Sequence, residues 1–91
     1  MKYLHPFYES FCRAIDYYKA IDRRLAASFV KEVESALKQI IKFPKIGRAF
    51  PKYRVLLLKN FPYSVCYYQN SEGELYGLVL FHHKQKEPDL N

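Results

Sequence analysis

The spacing of apolar residues changes once along this chain, at Phe43-Pro44, and that change limits the folds open to it. Before it, apolar side chains recur at helical intervals. Phe7, Phe11, Ala14, Ile15 and Tyr18 form one stripe, and Ala26, Phe29, Val30, Val33, Leu37, Ile40 and Ile41 form a second. Lys31, Glu32, Glu34 and Lys38 take the outer face of the second stripe. Pro6 suits the first turn of the first helix, where its missing N–H leaves nothing unpaired. Asp22 suits the N-cap of the second helix. Pro44 ends that helix, because the residue before a proline is pushed out of helical geometry.

Beyond the boundary the periodicity is that of strands. "PKIGRAFP" (44–51) carries two prolines and a glycine and reads as a loop. "YRVLLLK" (53–59), "YSVCYYQ" (63–69) and "LYGLVLF" (75–81) are three strands, joined by Asn60-Phe61-Pro62 and by the turn "NSEGE" (70–74). The third is apolar on both faces, which predicts a central position. Helices followed by strands predict an α+β fold: an antiparallel helix hairpin over residues 6–43, packed on one face of a small, mainly antiparallel sheet over residues 53–83, with a tail at 84–91. The opposite face then has no helix to cover it. Tyr53, Val55 and Leu57 alternate with Arg54, Leu56 and Leu58, so both faces carry apolar side chains, and an apolar face left bare calls for a partner.

The 91 residues suffice for one domain and one core, and a composition 49% hydrophobic and 18% aromatic is that of a globular chain. No run is long and apolar enough for a bilayer span, and "MKYLHPFYES" lacks the basic head and apolar stretch of a secretory signal. Cys12 and Cys66 lack metal-ligand spacing, so they read as reduced thiols of a cytoplasmic protein. No metal site and no cofactor motif is expected.

The net charge of +6 is unevenly placed. Residues 35–71 hold Lys38, Lys42, Lys45, Arg48, Lys52, Arg54 and Lys59 and no acidic residue, whereas the flanking segments are close to balance or acidic. Such a block suits a polyanionic or acidic partner; a solvated lysine-rich face is the plainer reading.

In this order the segments resemble the RelE/ParE superfamily of type II toxins, the toxic halves of toxin–antitoxin modules. "LHPFYESFCRAIDYY" is similar to the family's opening helix, and "FVKEVESALKQIIKFPKIGRAF" to its second helix and Phe-Pro-x-x-Gly loop. "RVLLLKNFPYSVCYY" is similar to its basic strand and Phe-Pro-Tyr segment, and "LYGLVLFHHKQKEP" to its last strand and histidine exit. The usual first strand is cut to "MKYL", implying a very short edge strand or a chain that begins late within it. The resemblance implies a cytoplasmic protein with a cognate antitoxin that wraps it through an acidic C-terminal segment, giving a hetero-oligomer. It implies one of two targets. ParE-like members poison DNA gyrase, whereas RelE-like members cut mRNA on the ribosome.

Metal-free RNA cleavage needs a general base, a general acid and cations on the phosphate. His82 and His83 are the candidate acid or base, with Arg54 and Lys86 as candidate catalytic cations. Neighbours on a strand point to opposite faces, so one histidine at most enters a given cleft, and strand-end hydrogen bonding or antitoxin contact are the competing roles. Alignment of His83 with the family's exit histidine places Lys86 where arginine is usual and Leu90 where an aromatic often stands. Arg48, Lys52, Arg54, Lys59, Tyr63, Tyr67 and Lys84 are the candidates for target or antitoxin binding, the tyrosines by stacking on a base. The Ile-Asp-Tyr-Tyr helix end, the Phe-Pro-x-x-Gly loop and the incomplete exit favour the ParE-like branch. A ribosome-dependent endoribonuclease is the second reading, and a relic that is a basic interaction module without toxicity is the third.

Overall fold

The computed structural model describes residues 1–84; Lys86 and the rest of the tail beyond Lys84 lie outside the described residues. The elements run β1 (Lys2–Tyr3), α1 (His5–Ile21), α2 (Arg23–Lys42), β2 (Arg48–Ala49), β3 (Arg54–Leu57), β4 (Tyr63–Gln69) and β5 (Leu75–His82). The fold is α+β, two helices against a five-stranded mixed sheet of order β1-β5-β4-β3-β2. Only β1 is parallel to its neighbour, β5; every other pairing is antiparallel.

The helices form where the apolar stripes predict them. Pro6 lies in the first turn of α1, and one extended residue, Asp22, separates the two helices. The Asp22 side chain accepts the Arg24 N–H (2.8 Å), which caps α2 in the first turn, where helix N–H groups have no partner of their own. Phe7, Ala14 and Tyr18 from α1 and Ala26, Phe29, Val33, Ala36 and Ile40 from α2 are buried against Val65, Tyr67 and Leu80 of the sheet. Ile41 falls outside this core and is exposed: Ala36 and Ile40 hold the stripe, and the helix has rotated past it one residue later.

The central strand is β4, not β5 as the two-sided apolarity of "LYGLVLF" predicts. Four consecutive residues of β4, Ser64 to Tyr67, are buried, since β3 and β5 flank it and both faces are covered. β5 earns its apolar faces differently. α1 covers one, and on the other Val55, Cys66 and Phe81 make a second cluster packed by Phe50, Tyr53 and Val79. The face without a helix is therefore not bare. The loop before β3 folds Phe50 and Tyr53 over it as a stacked pair, with ring centroids 4.9 Å apart and planes 14° from parallel.

The first strand is two residues long, and α1 takes over where it stops. β1 reaches Gly77, the Leu4 N–H bonds the Gly77 carbonyl (2.9 Å), and the Leu80 N–H further along β5 donates instead to Ser10 Oγ on α1 (2.9 Å). A helix hydroxyl thus satisfies a strand donor that a longer β1 would have paired. Gly77 permits the packing, because a Cβ there would lie 2.6 Å from the Tyr3 ring. Cys12 is exposed and Cys66 buried, both as free thiols.

Candidate functional site

At one end of β4 the chain brings together the histidines of the sequence reading. Tyr63 pairs with His82 and Ser64 with Phe81, so the alternation of the strands separates the two imidazoles. His82 lies edge-on to the Tyr63 ring (5.0 Å), on the helix side, and its Nδ1 accepts the Lys84 N–H (3.0 Å). His83 turns to the other face, where its Nε2 is 2.8 Å from Ser64 Oγ, and its backbone N–H bonds the Pro62 carbonyl (2.8 Å). Ser64 is buried, so this Ser–His pair closes a strand end and offers no nucleophile to a substrate. Pro62 sets the geometry: the Tyr63 N–H bonds the Phe61 carbonyl (2.8 Å), a three-residue turn that delivers Phe61 to the helix core.

Tyr63 itself is half-buried, packed edge-on to Tyr18 and Phe29. Burial is the main reason its phenol is held above the ordinary value, with Tyr17 adding to the rise. Lys59 and Lys84 are exposed at this end. Next to Lys59, Asn60 is fixed to α2 by two hydrogen bonds with the Glu32 carboxylate, at 2.9 Å from its N–H and 2.7 Å from its Nδ2. Between α2 and β3 runs an open groove of about 560 Å³, lined by Leu25, Ala36, Leu56, Leu57 and Phe61, with Lys31, Lys59 and the Asn60-bound Glu32 as its charged residues. Leu57 is 58% exposed in it.

At the other end of β4 the structure holds a different arrangement, in residues 43–54. Tyr67 is fully buried, and its hydroxyl donates to the Pro44 carbonyl (2.7 Å) while accepting the Gly47 N–H (2.9 Å). Arg54, opposite Tyr67 in the β3–β4 register, donates from Nη1 to the Gly47 carbonyl (2.9 Å) and the Lys45 carbonyl (3.2 Å). Gly47 is required here by space: a Cβ would stand 2.7 Å from Tyr67 Oη and 3.0 Å from the Val55 carbonyl oxygen. Burial raises the Tyr67 pKa, and the Gly47 N–H and the Arg54 charge act against that rise.

Two sequence expectations change here. Tyr67 does not lie on a binding surface; it is the post on which the 44–47 loop is hung. Arg54 is likewise engaged with loop carbonyls, which answers why a cation stands between apolar neighbours on a strand. Arg48 and Lys52 are exposed, and the Arg48 guanidinium lies over the Phe50 ring at 5.4 Å. Among the described residues, the ion pairs join Lys2, His5, Arg13 and Arg24 to carboxylates and involve none of the cations of residues 35–71. The structure therefore does not bring His82, His83 and Arg54 into one cluster: the histidines lie at one end of β4 and Arg54 at the other. Lys86 lies outside the described residues.

Sequence reasoning missed Ser64, Gly47 and the Glu32–Asn60 link. A serine inside an otherwise apolar strand, and a glycine between two prolines, are the signals that point to the first two. Nothing local marks the third, since it joins residues 28 apart in sequence.

No group of three or more His, Cys, Asp or Glu side chains suited to a metal ion occurs among the described residues, and no described helix is long and apolar enough to cross a membrane. The structure is similar to a solved chain described as the chromosomal ParDE TA system from P. aeruginosa, with a TM-score of 0.76 and 17% identity over 89% of this chain and 91% of that one. At that identity the likeness is one of fold. No curated protein matches the sequence. The family model for the ParE toxin of the type II toxin–antitoxin system, parDE, matches residues 10–87, from the middle of α1 to beyond the histidine pair. With that match over most of its length, the chain belongs to the ParE toxin family, within the RelE/ParE superfamily.

Proposed function

We propose that this protein is an active toxin that arrests growth by inhibiting DNA gyrase and is held in check in the cytoplasm by a cognate antitoxin. The family match over residues 10–87 carries this reading. The strand end supports it over RNA cleavage. His82 and His83 sit on opposite faces, each engaged with the protein's own groups, and the guanidinium of Arg54 is bonded to carbonyls at the far end of the sheet. An acid–base pair around one phosphate would need these groups to converge.

For the antitoxin, the α2–β3 groove is the favoured seat. Its exposed Leu57 and neighbouring apolar lining suit the apolar side of a bound segment, and Lys31 and Lys59 on its rim suit an acidic one. Residues Lys59, Tyr63 and Lys84 lie toward this end of the sheet and are the retained candidates for partner contact.

The test is induction of the chain in cells without its antitoxin. Trapped gyrase–DNA cleavage complexes and a DNA-damage response, with transcripts intact, are the expected result. Ribosome-dependent mRNA cuts that vanish in a His82→Ala/His83→Ala variant would replace this reading with the endoribonuclease, and unaffected growth would replace it with the relic.

A further inference from the structure

The cations on and beside the 44–47 loop form, with the rings around them, a surface that the gyrase reading does not use. Two clefts adjoin there. One, of about 450 Å³, is lined by Lys42, Phe43, Pro44, Lys45, Ile46 and Gln69. The other, of about 240 Å³, includes Phe50, Lys52, Tyr53 and Tyr68, and it shares Lys45 and Gln69 with the first. Among the described residues, no carboxylate lines either cleft. Phe43 is 56% exposed, with Lys42 Nζ over one side of its ring at 5.5 Å, and Tyr68 is 41% exposed, its ring 6.2 Å from that of Tyr76, so both rings are partly open to solvent beside exposed Lys42, Lys45, Arg48 and Lys52.

The geometry points to a binding site for a single strand of nucleic acid across these two clefts, with phosphates on Lys42, Lys45, Arg48 and Lys52 and bases stacked on Phe43 and Tyr68. Two observations choose this ligand. The charge is of one sign and meets no carboxylate among the described residues, which is what a phosphate backbone requires. The exposed rings suit bases, which stack on aromatic faces whatever their sequence. The 44–47 loop is held by Tyr67 and Arg54, so Lys45 stands on a fixed platform between α2, which carries Lys42, and β2, which carries Arg48.

The inference stands apart from the gyrase reading, and its failure leaves that reading intact. The test is fluorescence anisotropy of a labelled oligothymidine of about 12 nucleotides against the full chain, with oligouridine and a duplex of equal length alongside. The expected slope of log K on log salt is about −2 to −3, since each phosphate contact on a single strand contributes about −0.7. Lys45→Glu with Arg48→Glu should weaken binding by about tenfold or more and flatten that slope. Phe43→Ala should weaken it about tenfold with the slope unchanged, the mark of a lost stack. Lys19→Glu with Arg23→Glu makes the same change in net charge at the other end of α2, about 30 Å from Lys42, and should leave binding close to that of the parent. Both pairs and Phe43 are exposed, and unchanged thermal midpoints will separate binding from folding. The ratio of oligouridine to oligothymidine affinity tells RNA from DNA, and the proposal is overturned by an equal loss in the control pair, by a duplex bound as tightly with Phe43→Ala silent, or by polyglutamate displacing the strand at equal concentration.

Discussion

The two ends of β4 carry similar residue types and use them in opposite ways. At the Tyr63 end, polar side chains are tied off separately: His82 to a backbone N–H, His83 to a buried serine, Asn60 to Glu32. At the Tyr67 end, a tyrosine and an arginine converge on one short loop and bond its carbonyls and an N–H. The first arrangement closes a structure. The second holds up the loop that carries Lys45 and leads into β2, where Arg48 stands exposed. A motif-level inspection ranks them the other way round, because histidines look like chemistry and a loop tyrosine does not.

The hardest way to break the contrast is to remove the post. Tyr67→Ala deletes a fully buried ring and its hydroxyl together, and should cost about 3–5 kcal/mol in a urea melt. Loss of the fold is the extreme outcome; a cost under about 1 kcal/mol would mean that the loop does not depend on Tyr67. Gly47→Ala tests the same joint from the loop side. The added methyl meets Tyr67 Oη and the Val55 carbonyl, so the melt should fall by about 1–3 kcal/mol, far more than an exposed loop glycine would show.

Alkali acts on both ends at once. Burial raises the phenol pKa of Tyr3, Tyr18, Tyr63 and Tyr67 above the ordinary 10.0. The unfolded chain then loses those protons first as pH rises past about 10, so the stability they contribute is complete below that pH and falls above it. Urea midpoints should be level between about pH 8 and 9 and drop beyond about 10. A Tyr67→Phe variant should show a shallower drop.

The smallest effect is expected at the histidines. His83→Ala removes one hydrogen bond to Ser64, with a cost of about 1 kcal/mol, and should leave growth arrest and antitoxin binding as they were. Loss of toxicity with antitoxin binding retained would reverse the contrast and return the strand end to catalysis.

Much of this fold was legible because it rests on local rules. The stripes of α1 and α2, the Asp22 cap and the stop at Phe43-Pro44 depend on neighbours within a turn or two, and each appears where the sequence implies it. Alternation alone was enough to part His82 from His83. What was illegible depends on pairing at a distance. Two-sided apolarity cannot tell a central strand from one covered by a helix, so β5 passed for the middle of the sheet. Ile41 continues the stripe by spacing, but the helix has turned it past the core that Ala36 and Ile40 fill. Tyr67 and Arg54 looked like surface groups because their partners are backbone atoms of residues 44–47, which have no side-chain signature.

The two edges of the sheet have a consequence for assembly. β1 and β2 are each two residues long, and a strand that short gives an incoming chain almost no ladder to extend. β2 pairs only with Arg54 and Val55, which leaves Leu56 and Leu57 as the stretch of β3 with no outer neighbour among the described strands. Copies of this protein are thus poor templates for one another, and Leu56-Leu57 is a short landing place for chain-to-chain growth. That place opens on the α2–β3 groove, so a ligand filling the groove would also shut the sheet against polymerisation.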